Sequence, residues 1–353
     1  MAELGCSKYK NMNGVTCYMN SILAILQQSP LFPDYIVSGK FKEYLNTEDY
    51  SDLIIFQLHK LFRISLSTNN SNITPTSLRK VCAKKDFIWG ENQQQDSAEF
   101  LQFLITKIQE EISQNVKFLP GSKIGQTKSL DQSFEVIQAI SRYQNFVKKE
   151  FSPINKMFTG LEKVTTCCQI CSCNGNNFET FSIWQLPIPP TKDVTLKDCM
   201  DKWMETEKLD DDNRLTCDFC GVKSNAKKSN SIFMSPKILI IQLKRFKKDA
   251  FGNFCSKINS HIDFPVSDLD ISDYMSDSSI SKDKCMYNLF GVNMHHELGG
   301  IANINLGHYV SIVKNRFDNN WYLFNDNDEP IKIKDNKSII NKKAYLLFYY
   351  RVN

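Results

Sequence analysis

The hydrophobic periodicity of this chain changes once, near its middle, and that change restricts the fold more than any other feature. Up to about residue 115 the apolar positions recur at helical spacing. Ile22-Leu23-Ala24-Ile25-Leu26 form the buried face of a helix that starts at Cys17 and stops at Ser29-Pro30. A second helix is predicted over Asp52 to Leu66, and a third over Asp96 to Gln114, with Leu101, Leu104, Ile105, Ile108 and Ile112 on one face. Residues 121–150 read as a polar helical connector. From about Phe158 the period shifts towards two, in short runs at Lys237 to Leu243, His308 to Lys314, Trp321 to Phe324 and Ala344 to Val352. Helices first and strands afterwards predict an α+β fold. Ser267 to Lys284 is crowded with serine and aspartate and reads as a mobile surface loop.

Two Cys-x-x-Cys pairs, Cys168/Cys171 and Cys217/Cys220, lie in the strand-rich half. Each can grip one edge of a tetrahedral Zn²⁺ through its thiolates, and together they make a closed, structural Cys₄ site. Unpaired thiols or a redox motif are the alternatives, because the gap between the pairs exceeds the usual ribbon spacing. Cys167 and Cys173 crowd the first pair, and Cys168 is chosen because two residues separate it from Cys171. The 12 cysteines follow an N-terminus without a basic stretch and apolar core, so thiols and metal ligands are expected rather than disulfides, in a cytosolic or nuclear setting. No run approaches the roughly 20 apolar residues of a membrane span. A net charge of +4, evenly spread, argues against nucleic acid as a partner.

Cys17 opens its helix within Gly14-Val15-Thr16-Cys17-Tyr18-Met19-Asn20-Ser21, and Gly307-His308-Tyr309 appears far downstream. A helix N-terminus and a neighbouring imidazole both favour the thiolate, the form that acts as a nucleophile. Only 5 histidines are present, and His308 alone heads an alternating strand. Asn325 and Asp326 follow Phe324, and either could orient the imidazole; an amide oxygen can accept its N–H without carrying charge. The residues alone leave a buried inert thiol and an ordinary histidine open as alternatives. Asp96 and Glu99 stand at capping-box spacing.

These segments resemble the two boxes of the ubiquitin-specific protease family. Gly14, Thr16, Cys17, Tyr18, Met19, Asn20 and Ser21 match its cysteine box, and Gly307, His308, Tyr309, Trp321, Phe324, Asn325 and Asp326 match its histidine box. Further matches lie at Gln94 to Phe100, Leu243-Lys244-Arg245-Phe246 and Ala344 to Tyr349. The resemblance implies a papain-like α+β fold over residues 1–353: a helical thumb to about 115, zinc-tipped β fingers at about 158–235 and a β-rich palm at about 236–353. It implies a nearly bare, monomeric catalytic domain that hydrolyses the bond after the terminal glycine of ubiquitin on ubiquitinated proteins. Cys17 would be the nucleophile, His308 the base, Asn325 the orienting group by the family's spacing and Asp326 a secondary partner. Asp96 and Glu99 would face the basic tail of ubiquitin, besides capping a helix. The family's oxyanion asparagine, five residues before the cysteine, falls here on Met12. Asn11, swung in by a bulge, is favoured over Asn13 for that role. That departure keeps two alternatives open: an inactive ubiquitin-binding relative, and a protease for another modifier.

Overall fold

The computed structural model describes residues 5–45, 47–68, 72–116, 130–248, 254–283, 285–297 and 307–352. The helical periodicity of the first part becomes five helices: α1 (Cys17–Gln28), α2 (Phe32–Ser38), α3 (Ile54–Ser67), α4 (Thr76–Lys85) and α5 (Ser97–Ile112). The predicted third helix begins one residue late, with Asp96 as its N-cap accepting from the Ala98 N–H at 2.7 Å. The expected connector contributes α6 (Leu130–Glu150), then α7 (Pro153–Phe158); residues 121–129 lie outside the described residues.

Two sheets follow. A four-stranded antiparallel sheet runs in the order Asn174–Phe181, Gly160–Cys168, Ala226–Met234, Glu207–Leu209. The larger sheet runs Ile331–Lys332, Trp321–Phe324, Gly307–Lys314, Met286–Glu297, Ala344–Arg351, Ile238–Leu243 and Trp184–Leu186. Its central strands are apolar on both sides because both faces are covered. One face joins the helices in a core containing Ile22, Ile25, Leu101, Ile240, Tyr309 and Phe348. The other packs Trp184, Ile241, Val292 and Leu347 with Cys199 and Met200 of α8 (Leu196–Met204).

Helix α1 is central: all of its residues are buried, and it crosses the strand Gly307–Lys314. The crossing is close. A Cβ at Gly291, in the neighbouring strand, would come within 2.7 Å of Ile25 Cγ2, so only glycine lets the sheet approach the helix there.

The segment expected to be a mobile surface loop is instead packed. Residues 267–283 contain a short strand (Leu269–Asp270), a 3₁₀ turn (Ser272–Tyr274) and buried Ile271, Tyr274 and Met275. Ser276, Ser278 and Ser281 are buried too. The Ser276 N–H donates to the Ile232 carbonyl at 2.8 Å and the Ser279 hydroxyl to the Phe233 carbonyl at 2.7 Å. Small hydroxyl residues can enter a core when each polar group finds a partner, and composition alone does not reveal those partners.

Candidate active site

Strand register sets His308 beside Asn325, and the next residue, Tyr309, beside Cys17. Strand Trp321–Phe324 pairs antiparallel with Gly307–Lys314, with Phe324 opposite Ser311. The chain leaves the sheet just after Phe324, so Asn325 and Asp326 emerge beside His308. On the other side His308 pairs with His296, and Tyr309 with His295. A Cβ at Gly307 would lie 2.2 Å from His295 Nε2, so this position admits glycine only. The Gly307 N–H donates to Gln94 Oε1 at 2.8 Å, fixing the strand's start.

His308 Nε2 lies 2.5 Å from Asn325 Oδ1. The other end of that amide, Nδ2, donates to Asp328 Oδ2 at 2.6 Å, so Oδ1 is the atom turned to the ring. Nε2 therefore carries the proton and donates, and the lone pair lies on Nδ1, the nitrogen able to take a proton. Asp326 Oδ2 is 3.8 Å from the same Nε2. Far from an ordinary turn residue, Asp326 accepts from Asn20 Nδ2 and Asn11 Nδ2, both at 2.8 Å. Burial lifts its carboxyl above the usual range, opposed by the Asn20 hydrogen bond, the neighbouring imidazole and the Asn11 hydrogen bond.

Cys17 is fully buried at the start of α1, with the Tyr309 backbone N–H directed at its sulfur. Here one expectation is corrected. The thiol is not drawn down towards thiolate but pushed up to about 11, chiefly by burial, with the Asp326 charge adding to it against the help of the Tyr309 N–H. Desolvation outweighs the helix N-terminus because the charged form loses its water. The extra residue before Gly14 is absorbed in a 3₁₀ turn, Met12–Gly14, in which Asn13 and Gly14 have φ of 56° and 72°. Asn13 is exposed, whereas Asn11 points inward and its Oδ1 accepts from the Thr16 N–H at 2.8 Å.

Asp96 and Glu99 are separated. Asp96 is buried and accepts from the Tyr345 hydroxyl at 2.8 and 3.1 Å, while Glu99 is exposed. Burial raises the Asp96 carboxyl to about 7 despite the Ala98 N–H and the Tyr345 hydroxyl. The reciprocal half of the expected capping box is not made. Both residues line a cavity of 590 Å³ between α5 and the larger sheet, with Gln185, Lys244 and Phe246.

The four predicted metal ligands converge. Cys168, Cys171, Cys217 and Cys220 place their sulfurs within 4.8 Å of one another, at 3.7 Å for Cys171 to Cys217 and 4.0 Å for Cys168 to Cys220. A tetrahedron with Zn–S bonds of about 2.3 Å has edges of about 3.8 Å, so this donor set can hold Zn²⁺. Cys167 and Cys173 stay outside it, as the spacing indicated. Gln94, Asn20 and Tyr345 lie in segments that match the family but were given no role from the sequence, although Asn20 stands one helical turn after Cys17.

The family model for ubiquitin carboxyl-terminal hydrolases matches residues 8–349. The chain belongs to this family. Among similar ubiquitin carboxyl-terminal hydrolases, Usp2 of Drosophila melanogaster is 28% identical over 339 residues, covering 96% of this chain and 34% of that protein. Ubiquitin carboxyl-terminal hydrolase 2 of Homo sapiens is 28% identical over 353 residues, with 98% and 55% covered. This chain thus spans about a third to a half of those proteins. The solved SAGA Ubp8/Sgf11/Sus1/Sgf73 DUB module bound to ubiquitin aldehyde superposes with a TM-score of 0.73 at 26% identity, covering all of this chain and 70% of the other. The same module bound to monoubiquitin gives 0.74 at 25%, covering 99% and 70%. The mixed helical and sheet architecture is that of the ubiquitin carboxyl-terminal hydrolase fold.

Proposed function

We propose that this chain is a cysteine-dependent deubiquitinase that hydrolyses the peptide or isopeptide bond after the C-terminal glycine of ubiquitin. The observation that carries the reading is His308, held through Nε2 by Asn325 with its Nδ1 lone pair free to act as base. The Tyr309 N–H that follows it aims at the Cys17 sulfur. Cys17 attacks the glycine carbonyl, forming an S–C bond as its proton passes to His308 Nδ1. The tetrahedral intermediate collapses, the C–N bond breaks, and the imidazolium returns the proton to the leaving amine. Water, deprotonated by the same nitrogen, then cleaves the thioester and frees the carboxylate and the thiol. Asn11 is proposed as the oxyanion donor, through the Nδ2 hydrogen not given to Asp326.

The cavity beside α5 suits the extended tail of ubiquitin. Glu99, on its exposed rim, is the carboxylate available to a basic tail residue, and Asp96 shapes the wall through Tyr345. The Cys₄ cluster is proposed to bind a structural Zn²⁺ at the tip of the fingers (about 158–235), between the thumb (to about 115) and the palm (from about 236). The protein is read as a monomer of the cytosol or nucleus that acts on ubiquitinated proteins. No helix among the described residues is long and apolar enough to cross a membrane.

A ubiquitin C-terminal fluorogenic substrate tests the reading. The wild type should turn it over in preference to the SUMO-like equivalent, and Cys17→Ala should lose on the order of 10⁴-fold or more while still binding ubiquitin. Equal turnover by Cys17→Ala would remove Cys17 from the mechanism. One second reading, a ubiquitin-binding pseudo-enzyme, is favoured by Met12, which stands five residues before Cys17 where the family's oxyanion asparagine falls and which cannot donate. Wild-type protein that binds ubiquitin without turnover would establish it.

A further inference from the structure

Asn20 stands on the same face of α1 as Cys17, one turn further on, and is 2% exposed. Its Nδ2 donates to Asp326 Oδ1 at 2.8 Å and to the Tyr9 carbonyl at 3.2 Å. Both partners are pure acceptors, so the amide can present only its NH₂ end to them. Its Oδ1 is left buried without a partner. A side chain there for packing alone would not leave a buried acceptor unpaired, since that costs stability. Asn11 Nδ2 holds the other oxygen, Asp326 Oδ2, at 2.8 Å, and the Tyr9 N–H donates to the Asp326 carbonyl at 3.2 Å. The carboxylate is thus gripped at both oxygens by amides, one on the nucleophile's helix and one on the segment leading into it, with Oδ2 3.8 Å from His308 Nε2.

Resting on the functional reading above, we infer that Asn20 is a positioning residue for the reaction. It touches neither substrate nor imidazole. By locking Asp326 to α1 it makes the Asn325–Asp326 turn, and hence the His308 ring, keep register with Cys17. Without it the carboxylate has one amide anchor and can rotate about it, and the palm turn is no longer tied to the helix that carries the thiol.

The test is a double-mutant cycle in steady-state kinetics with the fluorogenic ubiquitin substrate. Asn20→Ala should lower kcat by about tenfold or more at unchanged KM, because small misplacements of catalytic groups are costly. In the Asp326→Ala background the same substitution should cost nothing further. An equal loss in both backgrounds, or a change in KM alone, overturns the inference. Asn20→Asp has nearly the same volume and serves if the alanine variant does not fold. It sets a carboxylate against the Tyr9 carbonyl and Asp326, so it should lower kcat at least as far, and wild-type turnover would overturn the inference equally. If the wild type itself lacks turnover, the functional reading has failed rather than this one. The readout is then the His308 ring resonances by NMR, which Asn20→Ala should shift and which, unshifted, exclude the coupling.

Discussion

Cys17 and the Cys₄ cluster are held in place by opposite means. Around Cys17 the support is tertiary. The thiol sits at the end of a fully buried helix, His308 is placed by a strand on the far side of the molecule in sequence, and Asn11, Asn20 and Gln94 reach across between them. At the Cys₄ cluster the support is local. Cys217 and Cys220 lie in a tight turn with the Gly221 N–H on the Cys217 carbonyl at 2.8 Å, and Ile170, Phe219 and Val222 nearby are exposed. A packed core can fix a side-chain geometry without a metal; a turn with exposed apolar neighbours has more to gain from a cross-link.

Three experiments can break or sharpen that contrast. The largest effect is expected inside the core. Asn325→Ala should cut kcat by about 10²-fold, more than Asp326→Ala does, because it removes the acceptor that holds the Nε2–H tautomer. Rapid kinetics on both variants decide it, and the reverse ranking would move the orienting role to Asp326. At the tip, chelation or Cys217→Ser should lower Tm by about 10 °C, as expected when a metal's folding contribution of several kcal/mol is lost. Elemental analysis should find one Zn²⁺ per chain, and full stability in metal-free protein would refute the site. The smallest effect separates the chemistry of the two sets of sulfurs. Alkylation of Cys17 by iodoacetamide should keep accelerating as pH rises towards about 11, since a raised thiol yields its reactive anion only at high pH. Asp326→Asn removes a nearby negative charge and should move that profile to lower pH. A plateau below neutrality would mean a standing thiolate.

The parts of the site legible in the sequence were those written in contiguous boxes: Cys17 opens α1, His308 meets Asn325, and the two cysteine pairs converge. Asn20 and Tyr345 were illegible as functional residues, because what matters about them is a hydrogen bond to a residue remote in the chain. The direction of the Cys17 shift was misread for a related reason. Helix end and imidazole are local features, but the depth of burial that outweighs them is a property of the assembled core. The long apolar helices and strands were readable from period, whereas α2 and α4, short and weakly patterned, were not. The serine-rich stretch from 267 was misjudged because polarity was taken for exposure.

One buried side chain ties the halves in a way that bears on how the molecule melts. Asn293, in the sheet, accepts from the Ser97 hydroxyl at 2.8 Å and donates to the Ser21 hydroxyl at 2.9 Å, so both ends of its amide are answered by helices of the other lobe. Drawing the lobes apart would strand three polar groups in an apolar seam before any water could reach them. Opening the cleft wall by itself would cost these buried hydrogen bonds, so helical lobe and large sheet are expected to unfold together rather than as two bodies on a hinge.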